Sequence, residues 1–375
     1  MSQQGESPAA EDAWWRRLYD EKARDTGPGD TADTLDDRFD SASGAVGPDG
    51  PVPPDRDAVT PPEPPRPAKP AAPTRAEPPP HRGFGQLGDR PSRYDAEPTA
   101  LPATGPEQLD ELVPDTALDG ARYGTYTLRA ASVRGDAARS RGEPRRDALL
   151  TARFGDDEEA LVLVAVATGA RSAGAAHRAA ADACRWIGTA VARSHARLSD
   201  DIRAGRRQDL KSGLNRLTDR TYGRLRARAA ELGEEPERYT ASLRCLLLPA
   251  DPDCRTRVFF GVGAGGLFRL RDGVWQDLDP RTPPSGETPP GGAPGAEPPA
   301  EPFRFRGSVA RSGDVLLLCS PGLAAPLRGE PALAKELAAR WEAPAPPGLA
   351  AFLTDTGLRV QGYSDDRTGA GVWEA

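Results

Sequence analysis

The pattern of hydrophobic and polar positions changes character near residue 120. From Tyr123 onward, short apolar runs alternate with polar turns and predict strands over TYTLRAASVRG, DALLTARFG and ALVLVAVATG. The third run is apolar throughout, as expected of a strand buried on both faces. A polar loop, SRGEPRR, separates the first two. Residues 173–198 are Ala-rich and read as one helix, and the Arg-rich stretch 207–232 reads as a second that ends near Gly233. TASLRCLLLP, RTRVFFGVG, GLFRLRDG and VWQDL then predict four short strands, with Asp272-Gly273 as a hairpin turn. Beyond a Pro/Gly loop at 280–302 come two more strands (FRFRGSV and GDVLLLCSPG), helices around 331–342 and 347–356, and a closing strand, GAGVWEA. This order gives an α+β domain over 121–375 with mostly antiparallel sheets. No period of 20–50 residues marks a repeat array.

Before residue 120 no such pattern holds. Of the 40 prolines, 15 lie within 51–100 and 7 within 281–300, where each removes a backbone donor and fixes φ. Residues 45–120 are rich in Pro, Ala and acids and poor in large apolar side chains. Such a segment cannot offset its ordering entropy, so a disordered linker is expected. Two islands precede it within 1–44. Trp14, Trp15, Leu18 and Tyr19 form one, Leu35 and Phe39 the other, and both read as short linear motifs that dock on a partner protein. The competing reading is a leader fragment that packs nowhere in particular. The PxxP stretches near Pro61–Pro70 read as spacer.

Charge sharpens the division. Residues 1–120 carry −12 and residues 121–375 carry +5, giving the net −7 of the 375-residue chain. An acidic tail on a mildly basic globule does not have the profile of a nucleic-acid binder. The arginines between Arg185 and Arg228 read as the solvated face of an amphipathic helix. No run of 18 apolar residues is present, so no membrane span is expected. The first dozen residues have neither the basic nor the apolar region of a signal peptide, and a cytoplasmic location is expected. Four cysteines without a CxxC pair and three histidines do not make a zinc site. There is no GxxxxGK[ST] loop, and GVGAGG lies between two strands, the wrong context for a dinucleotide turn. His177 and His195, both on the helix expected over 173–198, read as surface residues of that helix.

Five strings, in order, are ASVRG…RRDALLTARF, LVLVAVATGARSAG, FFGVGAGGLFRLRDG, RSGDVLLLCSPGL and YSDDRTGAGVW. Over 121–375 they resemble the metal-dependent serine/threonine protein phosphatases of the 2C (PPM) type. The resemblance implies a sandwich of two antiparallel β-sheets flanked by helix pairs, with the active site at one end. It also implies chemistry by two Mn²⁺ or Mg²⁺ ions bridged by aspartates, which activate a water for in-line attack on phosphorus. Carried over position by position, Asp147 matches the first metal-binding aspartate and Asp366 the last, and Gly169 matches a glycine whose carbonyl is a ligand. The bridging aspartate falls on Thr168, and two further acidic positions fall on Ala264 and Pro321. A threonine hydroxyl cannot bridge two dications with full negative charge, and a proline side chain has no oxygen. The expectation is therefore a catalytically inactive pseudophosphatase without a bound metal, acting in phospho-signalling on a protein partner such as a phosphoprotein or kinase. Two alternatives stand beside it: an active phosphatase that recruits acids from Asp156–Glu159 or Asp365, and a scaffold that binds no phosphate. From the residues alone, Asp147 reads equally as a turn aspartate, and Asp365-Asp366 as solvated acids.

Overall fold

The computed structural model describes residues 85–87, 93–94, 100–156, 159–171, 174–279, 302–343 and 345–375. Trp14, Trp15, Leu18, Tyr19, Leu35 and Phe39 lie outside the described residues, as do most of the 45–99 linker and the 280–301 loop.

Two antiparallel sheets stack face to face. The first has the order β10-β7-β6-β5-β4, built from β4 (Asp147–Phe154), β5 (Leu161–Gly169), β6 (Ala241–Pro249), β7 (Thr256–Val262) and β10 (Arg304–Val309). The second has the order β2-β3-β13-β11-β8-β9. It comprises β2 (Thr116–Tyr123), β3 (Tyr126–Val133), β8 (Gly266–Arg271), β9 (Val274–Asp277), β11 (Val315–Cys319) and β13 (Arg367–Glu374). A short pair, β1 (Gln86–Leu87) with β12 (Arg359–Val360), is the one parallel ladder among the described residues.

Strand alternation distributes the core into three layers. Along β5, Val162, Val164 and Val166 face the second sheet, where they meet Leu128, Leu316, Leu318 and Val372. Leu161, Leu163, Ala165 and Ala167 face outward, against α2 (Ala176–Ala192), α3 (His195–Arg203) and α4 (Arg207–Leu232). The outer face of the second sheet is covered by α5 (Pro321–Gly329), α6 (Pro331–Trp341) and α7 (Leu349–Thr356), around Trp341, Phe352 and Trp373. The result is a helix–sheet–sheet–helix sandwich. The central runs LVLVAVATG and VLLLC are buried on both faces because they are covered on both faces.

The far end of the inter-sheet layer holds a buried ion pair. Arg257 donates two hydrogen bonds to Glu374, at 2.7 and 2.8 Å, and lies 4.9 Å from the Tyr126 ring centre.

Four sequence expectations need correction. The linker does not extend to residue 120: Thr116–Tyr123 is a strand paired along its length with β3, and Pro106–Glu111 forms a 3₁₀ turn. β2 is an edge strand with mostly half-exposed or exposed side chains, so its composition resembles that of a linker. The Ala-rich stretch is two helices, broken at Arg193-Ser194, and His177 and His195 therefore sit on different helices. Pro321 and Gly322, read as the end of the GDVLLLCSPG strand, instead open a helix over Pro321–Gly329 with Pro at its first position, where the missing N–H costs nothing. The loop after β3 contains a short helix, α1 (Asp136–Arg141).

Candidate functional site

The inter-sheet layer ends in polar residues at one end of the sandwich. The alternating sets that bury Leu128 and Ala130, Val164 and Val166, Leu316 and Leu318, and Val372 and Ala370 continue to Ser132, Thr168, Ser320 and Thr368. Asp147, the first residue of β4, sits directly across from Thr168, and Thr368 sits across from Ser132. Strand register alone thus gathers one carboxylate and four hydroxyls.

They form a closed network. Thr168 Oγ1 donates to Asp147 Oδ1 at 2.6 Å, and Thr368 Oγ1 donates to Oδ2 at 2.8 Å. Ser132 and Thr368 share a hydrogen bond of 2.6 Å between their hydroxyls. The Ser320 hydroxyl lies beside Asp147 and helps to lower its pKa, while its oxygen accepts the Thr368 N–H at 3.0 Å. Burial and the neighbouring Asp366 push the Asp147 carboxyl up to about 7, against the pull of the three hydroxyls.

Asp366 immediately precedes β13 and is occupied differently. Its Oδ1 accepts the Gly135 N–H at 2.7 Å and its Oδ2 the Arg146 N–H at 2.6 Å. Burial raises its pKa, opposed by those two amides and by Arg146 and Arg145. Gly135 is required for this approach, because a Cβ there would lie 2.4 Å from backbone atoms of Ser364 and Asp365. Asp365 points the other way and pairs with Arg171 and, at 3.6 Å, with Arg146.

Gly169 closes β5 at its crossing with α2. A Cβ at Gly169 would stand 2.0 Å from the Ala176 carbonyl oxygen, so close packing alone accounts for glycine here. Ala264 lies in the β7–β8 turn, whose carbonyls are held by Arg244 (Gly263 O at 2.6 Å, Ala264 O at 3.2 Å). Pro321 starts α5. Asp147, Thr168, Gly169, Ala264, Pro321 and Asp366 all line one cleft of about 910 Å³. Arg146, Arg171 and Arg226 bring positive charge to its walls, and Tyr222, Tyr239 and Phe303 bring aromatic surface.

The structure thus brings together every site position taken from the family resemblance. Of the substitute acids, it does not bring Asp156. Asp156 follows the opposite end of β4, roughly 23 Å from Asp147 at 3.3 Å per strand residue, and pairs with Arg153. Asp365 does line the cleft, held by its two arginines. Among the described residues, no three His, Cys, Asp or Glu side chains come together as a metal-ligand group. Sequence reasoning missed Ser132, Ser320 and Thr368. The available signal was their position, each one step beyond an alternating apolar set.

Comparison with known proteins agrees with the fold. A family model described as Protein phosphatase 2C matches residues 134–356. No curated protein matches the chain significantly. Solved structures similar to it include the Mycobacterium tuberculosis serine/threonine phosphatase PstP/Ppp (19% identity, 67% of this chain and 100% of that chain, TM-score 0.41). PppA, a regulatory component of T6SS in Pseudomonas aeruginosa, is 18% identical over 68% of this chain and 100% of that chain, TM-score 0.44. The catalytic domain of PstP in complex with two manganese ions is 19% identical over 66% of this chain and 97% of that chain, TM-score 0.40. With the family model matching well over half its length, the chain belongs to the protein phosphatase 2C family.

Proposed function

We propose that this domain keeps the 2C phosphatase fold without the two-metal reaction, and serves as a binding or regulatory module in phospho-signalling. The observation that carries this reading is the state of Asp147. Both its oxygens are occupied by hydroxyl donors, and the residue opposite it, where a bridging carboxylate is needed, is Thr168. A pair of Mn²⁺ or Mg²⁺ ions would require several charged oxygens in one place. Here Asp147 and Asp366 are each satisfied by the protein, and Ala264 and Pro321 supply no side-chain oxygen. The residues present do not fit a binuclear centre.

The open cleft of about 910 Å³ favours a binding role over a scaffold whose cleft is filled. In this reading the partner is a phosphoprotein or kinase in the cytoplasm. The 1–44 segment, through Trp14, Trp15, Leu18, Tyr19, Leu35 and Phe39, would tether the domain to it and raise its effective concentration.

The test is hydrolysis of a phosphothreonine peptide by the full chain with Mn²⁺ or Mg²⁺. The account expects no turnover above the buffer rate. Turnover abolished by Asp147→Ala and by Asp366→Ala would establish the alternative, an active phosphatase with an atypical metal site.

A further inference from the structure

We propose that the groove between α2 and α4, on the outer surface of the helical layer, docks an acidic polypeptide segment carrying one apolar anchor side chain. Arg216, Arg220 and Arg224 recur at every fourth position of α4 and so share one face. Arg193, the C-terminal cap of α2, joins them across the groove. Among the described residues, none of these four guanidinium groups has an ion pair or a side-chain hydrogen bond. Neighbouring arginines do have partners: Arg185 pairs with Asp182, Arg203 with Asp200, Arg206 with Asp201 and Arg228 with Glu231. Like charges four residues apart oppose the helix that carries them. The fold holds them together without internal compensation.

The arginines surround a hollow with an apolar floor. Trp186, Thr189, Ala190, Leu217 and Thr221 line a cavity of about 60 Å³, and Arg193, Arg220 and Arg224 form its rim. Trp186 is half-buried, and the Arg224 guanidinium lies 6.0 Å from its ring centre. An aromatic floor inside a charged rim is the arrangement of a binding hot spot, with one side chain inserted and carboxylates paired around it. Charge complementarity selects an acidic partner. The arginines converge on one hollow instead of tracking a long groove, since Arg216 to Arg224 spans only about 12 Å of helix. This compactness favours a polypeptide over a nucleic-acid backbone. Tyr222 and Arg226 project from the opposite side of α4 into the cleft, so this surface stands whether or not the cleft is catalytic.

The experiment is fluorescence anisotropy of the full chain with a labelled twelve-residue peptide of Asp and Glu around one central Phe. Saturable binding that weakens with added salt is expected. Arg220→Glu/Arg224→Glu should weaken it roughly ten-fold with an unchanged unfolding temperature, and replacing the peptide's Phe by Ala should also weaken it. Arg122→Glu/Arg311→Glu, an equal charge change at exposed sites on β2 and in the turn before β11, should leave binding as it was. Absence of saturable binding would overturn the proposal. So would equal losses in both double variants, or tighter binding of a twelve-base-pair duplex than of the peptide.

Discussion

Replacing Thr368 by Val tests whether the hydroxyl network holds a charged Asp147. The side chain is fully buried, and Val preserves its shape while removing one oxygen. That oxygen donates to Asp147 Oδ2 at 2.8 Å and shares a 2.6 Å hydrogen bond with Ser132. A hydrogen bond to a charged group contributes about 1.5–3 kcal/mol and a neutral one about 1 kcal/mol. Leaving the Ser132 hydroxyl without that partner adds a cost of about 1 kcal/mol. Above pH 7, with Asp147 ionised, the variant should lose about 3.5–5 kcal/mol. At pH 5, where the carboxyl is protonated, both contacts become neutral and the loss should fall to about 3 kcal/mol. Urea unfolding of the full chain at pH 8 and pH 5, followed by tryptophan fluorescence, measures both values. Equal losses at the two pH values, or a loss below about 0.5 kcal/mol at pH 8, would refute the reasoning.

Further expectations concern pH and packing. Because the folded-state pKa of Asp147 is raised to about 7 from 3.8, its stabilising contribution is complete below about pH 4 and is lost as pH rises through 7. Asp366 faces it, with Arg145 and Arg146 alongside. Melting temperature followed from pH 4 to 8 should therefore fall, and Asp147→Asn should flatten the fall. Gly169→Ala would drive a Cβ into the Ala176 carbonyl and should cost about 3 kcal/mol or more in a denaturant titration. Glu374→Gln, which leaves Arg257 buried without its counter-charge, should cost about 3–5 kcal/mol, whereas Arg257→Met/Glu374→Leu should be close to neutral.

Much of the fold was legible because the sandwich buries its central strands on both faces. LVLVAVATG, up to Thr168, and VLLLC have no polar position to confuse the pattern, and Asp272-Gly273 takes the positive φ that a tight hairpin needs. What escaped notice lies where context overrides composition. The edge strand Thr116–Tyr123 has one protected side and a polar appearance, and α5 carries two prolines and two glycines yet is held by Leu323 and Leu327 in the core. The break between α2 and α3 has no Gly or Pro to announce it. At the site, the aspartates and their missing companions were legible through the family strings. The hydroxyls were not, because Ser132, Ser320 and Thr368 acquire their role only when the register of five strands brings them within reach of one carboxylate.

The central claim is that hydroxyls stand where metal-bridging carboxylates would be needed. Calorimetric titration of the full chain with Mn²⁺ tests it most directly. The account predicts no saturable heat and no change in melting temperature with added metal. Two-site binding that disappears in Asp147→Ala and Asp366→Ala would contradict it, and would mean that the cleft assembles a metal centre from other oxygens.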